Sequence, residues 1–159
     1  MRGKILKLPW ELDPLDMSIL FHLRTNSKTP IKKMAKDLGM HPNTLIQRIK
    51  KMEKEGVIKK YSADIDYTKA GFDLHLMVLI KVKRGRVALD QLKELTRIAE
   101  IESIYATTGL WDAVAMCRVR NREHLLGVIE KIGDHPIVLK TSSSIVLYCY
   151  KSNDDYNPF

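Results

Sequence analysis

Cysteine is nearly absent from this chain: its 159 residues hold two, Cys117 and Cys149. Their separation fits neither a metal knuckle nor a redox pair. Both fall in strand-like stretches, so reduced core thiols are expected. Histidine is also sparse, and His75, His124 and His135 stand apart without ligand spacing, as ordinary surface or core residues would. No metal is expected. No apolar run approaches the ~20 residues of a membrane helix. Residues 1–12 mix Arg2, Lys4, Lys7, Trp10 and Glu11 without an apolar stretch of signal-peptide length. A soluble cytoplasmic protein with no membrane partner is expected. With no nucleophile–base pairing visible, neither catalytic residues nor an enzyme activity is expected.

Acidic residues are also scarce at one end. Residues 1–60 hold 14 Lys or Arg against 6 Asp or Glu, whereas residues 61–159 hold 13 of each, so the whole net charge of +8 lies in the first sixty. Such asymmetry points to a polyanionic partner for the basic half. An apolar fraction of 45% is that of a globular chain.

Within the basic half, residues 41–58 pattern as a bracketed amphipathic helix. Leu45, Ile49 and Met52 fall on one stripe at i, i+4 and i+7, while Asn43, Gln47, Lys50 and Lys54 project to the opposite side. Pro42 suits the first helical position, and Gly56 suits the left-handed residue that ends a helix. Before it, Asp13 and Pro14 open a helix carrying Leu15, Ile19, Leu20 and Leu23. Pro30 opens a shorter helix with Ile31, Met34, Ala35 and Leu38, which Gly39 closes. Two short helices joined by a tight glycine turn, the second with a polar outer face, make a helix-turn-helix. On that face Asn43, Thr44 and Gln47 are candidate base readers, and Lys32, Lys33, Lys50, Lys51 and Lys54 candidate phosphate contacts, with His41 at the helix start. Arg48 lies at the margin of the apolar stripe. It is left between a phosphate contact and a structural pairing with an acid such as Asp37 or Glu53.

Residues 57–65 alternate as a short strand or wing would, and 66–73 read as a linker. Beyond it come a β-rich run at 74–82, a helical pattern at 87–99, strands at 101–107 and 113–119, a helix at 121–133 whose Leu125, Leu126, Val128, Ile129 and Ile132 supply core, and a last strand at 137–150. The order β-α-β-β-α-β is that of a ferredoxin-like sandwich. The fold class is therefore α+β: an N-terminal winged helix-turn-helix (1–60, with 1–12 as an extension), a strand or linker (61–73), a ferredoxin-like βαββαβ domain (74–151) and a tail (152–159). With the first strand lying between the third and the fourth, Cys117 and Cys149 stand ~10 Å apart, too far for a disulfide within one chain. A lone recognition helix reads few base pairs and a four-stranded sheet leaves one face uncovered, so at least a homodimer on double-stranded DNA is expected.

These halves in this order resemble the Lrp/AsnC family of prokaryotic transcription regulators, over roughly residues 12–151. The resemblance rests on Asp16, Ile19, Leu20 and Leu23; on Ala35, Leu38 and Gly39; on Arg48, Ile49, Glu53, Gly56, Val57 and Ile58; on Tyr61, Ala63 and Gly71; and on a Thr-Gly-x-x-Asp loop, Thr108-Gly109-Leu110-Trp111-Asp112. It implies a DNA-binding regulator that senses a small effector, often an amino acid, between protomers, and that builds tetramers or octamers from dimers. The implied effector residues are Gly109, Trp111 and Asp112; the hydroxyls of Thr141, Ser142, Ser143 and Ser144 could complete the shell by hydrogen-bonding a small polar ligand, although edge-strand solvation explains them too. Asp112 would pair with an α-ammonium group; the bland reading is a turn-capping aspartate. Departures lie at His41-Pro42, where the family commonly has a serine cap, at Gln47-Arg48, where it often has two arginines, and at the bulky Trp111. Two other classes stand beside this one: an effector-independent, chromatin-like architectural binder, and an enzyme like the siroheme decarboxylases, which resemble the same layout but call for histidines in contact with haem.

Overall fold

The computed structural model describes residues 11–83 and 86–151, the side chains of 86–90 excepted. The expected extension is thus outside the described residues up to position 10, as is the whole tail. The chain divides into two compact units, which meet in sequence between Asp64 and Ile65.

The first unit is three helices: α1 (Pro14–Thr25), α2 (Ile31–Asp37) and α3 (Pro42–Lys54). At the start of α1 the Asp13 carboxylate accepts from the N–H groups of Leu15 and Asp16, and Asp16 Oδ2 accepts from Asp13 N–H. This reciprocal cap satisfies backbone donors that a helix start leaves unpaired. The apolar stripes converge, burying Ile19, Leu20, Met34, Ala35, Leu45, Ile49 and Met52. Each large side chain there contributes roughly 1.5–3 kcal/mol relative to exposure. Gly39 and Gly56 have φ of 63° and 72°, the left-handed region, which lets the chain fold back after α2 and α3. At the second turn Val57 N–H reaches Met52 C=O at 2.9 Å.

The same core contains one charged side chain, Asp16, at 1% exposure. Arg48 on α3 reaches across to it. One of its terminal nitrogens donates to Asp16 Oδ1 and to Asp13 Oδ2, each at 2.7 Å. The acid partners are therefore on α1, not at Asp37 or Glu53. Glu53 instead accepts from the Tyr61 hydroxyl at 2.9 Å.

The second unit is an antiparallel sheet of β1 (Leu74–Val82), β2 (Ile101–Ala106), β3 (Ala113–Val119) and β4 (Val138–Ile145), in the order β2-β3-β1-β4, with α4 (Arg86–Leu95) and α5 (Arg122–Gly133). Alternate residues Leu76, Val78, Ile80 and Val82 of β1 and Ala113, Ala115, Cys117 and Val119 of β3 are buried, with Leu92, Leu95, Val128 and Ile132 from the helices. The other sheet face carries Met77, Leu79, Val114 and Met116, all only half-buried within one chain.

Four expectations need correction. Residues 57–65 form no strand, because no partner strand is available to them among the described residues. The fourth strand ends at Ile145 rather than 150: Ile145 pairs with Leu76 near the start of β1, Val146 N–H still reaches His75 C=O, and beyond this β1 offers no further partner. Cys149 is consequently exposed, whereas Cys117 is a buried thiol whose pKa burial pushes up to about 11. Leu126 is 60% exposed and lies outside the core. Of the helix expected over 87–99, the side chains of 87–90 lie outside those described, and α4 ends at Leu95.

Arg48→Met should destabilise the first unit by about 3 kcal/mol, since it leaves the Asp16 carboxylate buried without its cation. Adding Asp16→Leu should recover most of that loss. Chemical denaturation of the two variants checks both, and a double variant no better than the single one would show that the pair does not carry the effect.

Candidate DNA-reading helix and effector loop

The outer face of α3 begins at His41, whose ring Nδ1 accepts from Asn43 N–H at 3.2 Å and so supplies the cap that a serine would otherwise give. This bond requires an unprotonated Nδ1, on a side chain that is exposed. Asn43, Thr44, Gln47, Lys50, Lys51 and Lys54 follow on exposed positions, and Lys32 and Lys33 are exposed on α2. Arg48 is drawn off this face by its two carboxylates. It ties α3 to the start of α1, in the packing that leaves the amides exposed.

The second set of candidates lies at one end of the sheet. Gly109 has φ of 107° in the tight β2–β3 connection, where Thr107 Oγ1 donates to Trp111 C=O and Thr107 N–H to Asp112 C=O. Asp112 turns back toward β1: one carboxylate oxygen accepts from Lys81 Nζ and the other from Val82 N–H, both at 3.0 Å. The backbone N–H first, and then Lys81, hold its pKa below the usual carboxylate value. Trp111 lies under Lys140 Nζ, 5.2 Å from the ring centre. The Asp112 carboxylate is thus engaged in pinning the loop to β1.

The four hydroxyls divide. Thr141 and Ser143 pair with Ile80 and Val78, on the helix-covered side, whereas Ser142 and Ser144 pair with Leu79 and Met77 on the other. Strand geometry sends successive side chains to opposite faces. These residues therefore do not converge as one shell, and only Ser142 and Ser144 share the uncovered face.

The domain described as the Lrp/AsnC ligand binding domain matches residues 75–156, and the winged helix-turn-helix DNA-binding model matches residues 12–59. The chain belongs to the Lrp/AsnC family. It is 34% identical over 144 residues to the HTH-type transcriptional regulator FL11 of Pyrococcus horikoshii, a match covering 91% of this chain and 95% of that one. Among solved structures, Escherichia coli AsnC superposes with a TM-score of 0.83 at 28% identity, covering 90% of this chain and 97% of that one. The feast or famine regulatory protein of Mycobacterium tuberculosis, complexed with L-methionine, gives 0.82 at 25% identity, covering 93% and 100%. The Lrp/AsnC chain described here is accordingly a DNA-binding transcriptional regulator rather than an enzyme. No helix among its described residues is long and apolar enough to cross a membrane.

No motif in the sequence marked a third arrangement in this Lrp/AsnC chain, at the opposite end of the sheet. A cleft of about 700 Å³ lies among Tyr67, Phe72, Glu102, Arg118, Arg120 and the start of α5. Arg118 lies 4.2 Å over the Tyr67 ring and donates from Nε to Glu102 Oε2 at 3.0 Å, while Arg120 lies 5.3 Å over Phe72. Glu100 takes bonds from Lys131 Nζ and the His124 ring, which hold its pKa at about 2. The available signal was weak: arginines two apart at a strand end, with aromatics about fifty residues earlier, show no spacing until the linker folds onto the sheet.

Proposed function

We propose that this regulator reads specific DNA sequences through the outer face of α3, acting in the cytoplasm as a homodimer or a larger assembly, and responds to an amino acid. The observation that carries the DNA reading is the exposed His41, Asn43, Thr44 and Gln47 surface, held in one orientation by the Arg48 ion pairs. Amides offer paired donor and acceptor atoms to base edges, whereas lysines neutralise phosphates without reading sequence. Arg48 is a positioning residue in this account. The dividing line proposed between the DNA-binding and sheet portions is the linker at 61–73.

Gln47→Ala or Asn43→Ala should cost ~1–3 kcal/mol at one base pair and relax the preference there, while Lys50→Ala should weaken binding to all sequences alike and lower the salt slope by about one. Gel-shift titrations on operator and random DNA at several salt concentrations measure this. Equal losses on both DNAs for all three variants would favour an architectural binder instead.

For assembly, support comes from the half-buried Met77, Leu79, Val114 and Met116 on a sheet face that a single chain leaves uncovered. A second sheet facing it would bury both. Sedimentation at micromolar concentration should give at least twice the chain mass of 18.3 kDa, and a monomer would remove this reading.

The effector reading draws on the loop at Gly109, Trp111 and Asp112, with Ser142 and Ser144 nearby, and on the methionine complex of the M. tuberculosis relative. Asp112 serves by holding the loop closed, leaving its backbone N–H groups to meet an α-carboxylate. Calorimetry with the twenty amino acids should show at least one that binds, weakened tenfold or more in Asp112→Ala, with DNA affinity of the ligand-free protein unchanged. Unaltered binding in that variant would take the loop out of this role.

A further inference from the structure

We propose that the cleft between the linker and the β2–β3 end of the sheet is a second small-molecule site, for an α-amino acid with an apolar side chain. It lies seven residues of β3 away from the Gly109–Asp112 connection, about 20 Å at strand rise, so the two cannot share a ligand. Its volume of about 700 Å³ falls within the range of ligand pockets.

The charges left unspent there define the ligand. Arg118 and Glu102 are bonded to one another, with His75 also beside Glu102, and Glu100 is charge-paired through one oxygen with Lys131 and the His124 ring. His124 is also spent, since its Nδ1 accepts from Arg120 N–H. Two opposite charges remain. Arg120 and Glu123 both line the cleft and are three residues apart, yet among the described residues they form no ion pair with each other. The Arg120 guanidinium carbon instead lies 5.3 Å over the Phe72 ring, and both residues line the cleft. A guanidinium edge pairs with a carboxylate in a planar, two-bond arrangement, and a free carboxylate takes an ammonium group. One molecule carrying both, with an apolar side chain for the Tyr67, Phe72 and Ala99 wall, satisfies all three features. A simple anion would leave Glu123 beside it, and a simple cation would leave Arg120.

The location adds a consequence. Tyr67 and Phe72 belong to the segment leading into β1, so a ligand held between them and Arg118 and Arg120 restrains the connection through which the DNA-binding unit is joined to the sheet. Coupling to DNA affinity follows only to the extent that the ligand prefers one disposition of that segment. The site stands on its own geometry, whether or not the loop binds an effector.

The test is calorimetry on the full chain with L-leucine and L-phenylalanine, and with 3-phenylpropionate and 2-phenylethylamine, which lack the ammonium and the carboxylate respectively. Saturable binding of at least one amino acid is expected, with both analogues at least tenfold weaker. Arg120→Met keeps an apolar stem on Phe72 and Glu123→Gln keeps the side-chain size; each should weaken binding tenfold or more at an unchanged unfolding temperature. Asp112→Ala should leave this binding intact, which separates the cleft from the loop. The proposal is overturned if wild type binds neither amino acid, if Arg120→Met and Glu123→Gln both leave affinity within twofold, or if only Asp112→Ala removes it.

Discussion

The arrangement of the DNA-binding unit depends on one buried carboxylate. Asp16 sits at 1% exposure among Ile19, Leu45, Ile49 and Met52, an environment in which an unpaired charge is costly. Arg48 neutralises it: one terminal nitrogen of its guanidinium bonds both Asp13 and Asp16 and ties α3 to the start of α1. The ion pairs and the buried stripe of Leu45, Ile49 and Met52 act in the same packing, which leaves Asn43 and Gln47 exposed. The same aspartates form the reciprocal cap of α1, so the start of one helix and the orientation of another are settled by a single cluster.

In the second unit the corresponding constraint is the strict alternation of side chains along a strand. It places Leu76, Val78, Ile80 and Val82 under the helices and leaves Met77 and Leu79 on the opposite side. It also divides the hydroxyls at 141–144 between two faces, which no reading of four adjacent polar residues as one cluster respects. The loop at Gly109 is shaped in turn by Asp112, whose two oxygens are taken by Lys81 and Val82. The carboxylate of this family motif residue is thus spent on closing its own loop.

The sequence by itself determined the helix boundaries in the first unit, because their signals are local: Asp13 and Pro14, Pro42, Gly39 and Gly56 each act on backbone groups within four residues. It determined the strands β1 and β3 to the residue, since alternation there coincides with burial, and the family, since the order of many weak motifs is itself specific. Only the tertiary structure decided which acids Arg48 meets, because a partner 32 or 35 residues away leaves no spacing rule. It decided too that the stretch at 57–65 and residues 147–151 lie outside any strand, because a strand exists only where another strand lies beside it. The cleft at Arg118 and Arg120 belongs wholly to this second kind. Its walls come from the linker, two strands and a helix start, and their proximity is a property of the folded sheet that no local pattern of residues encodes.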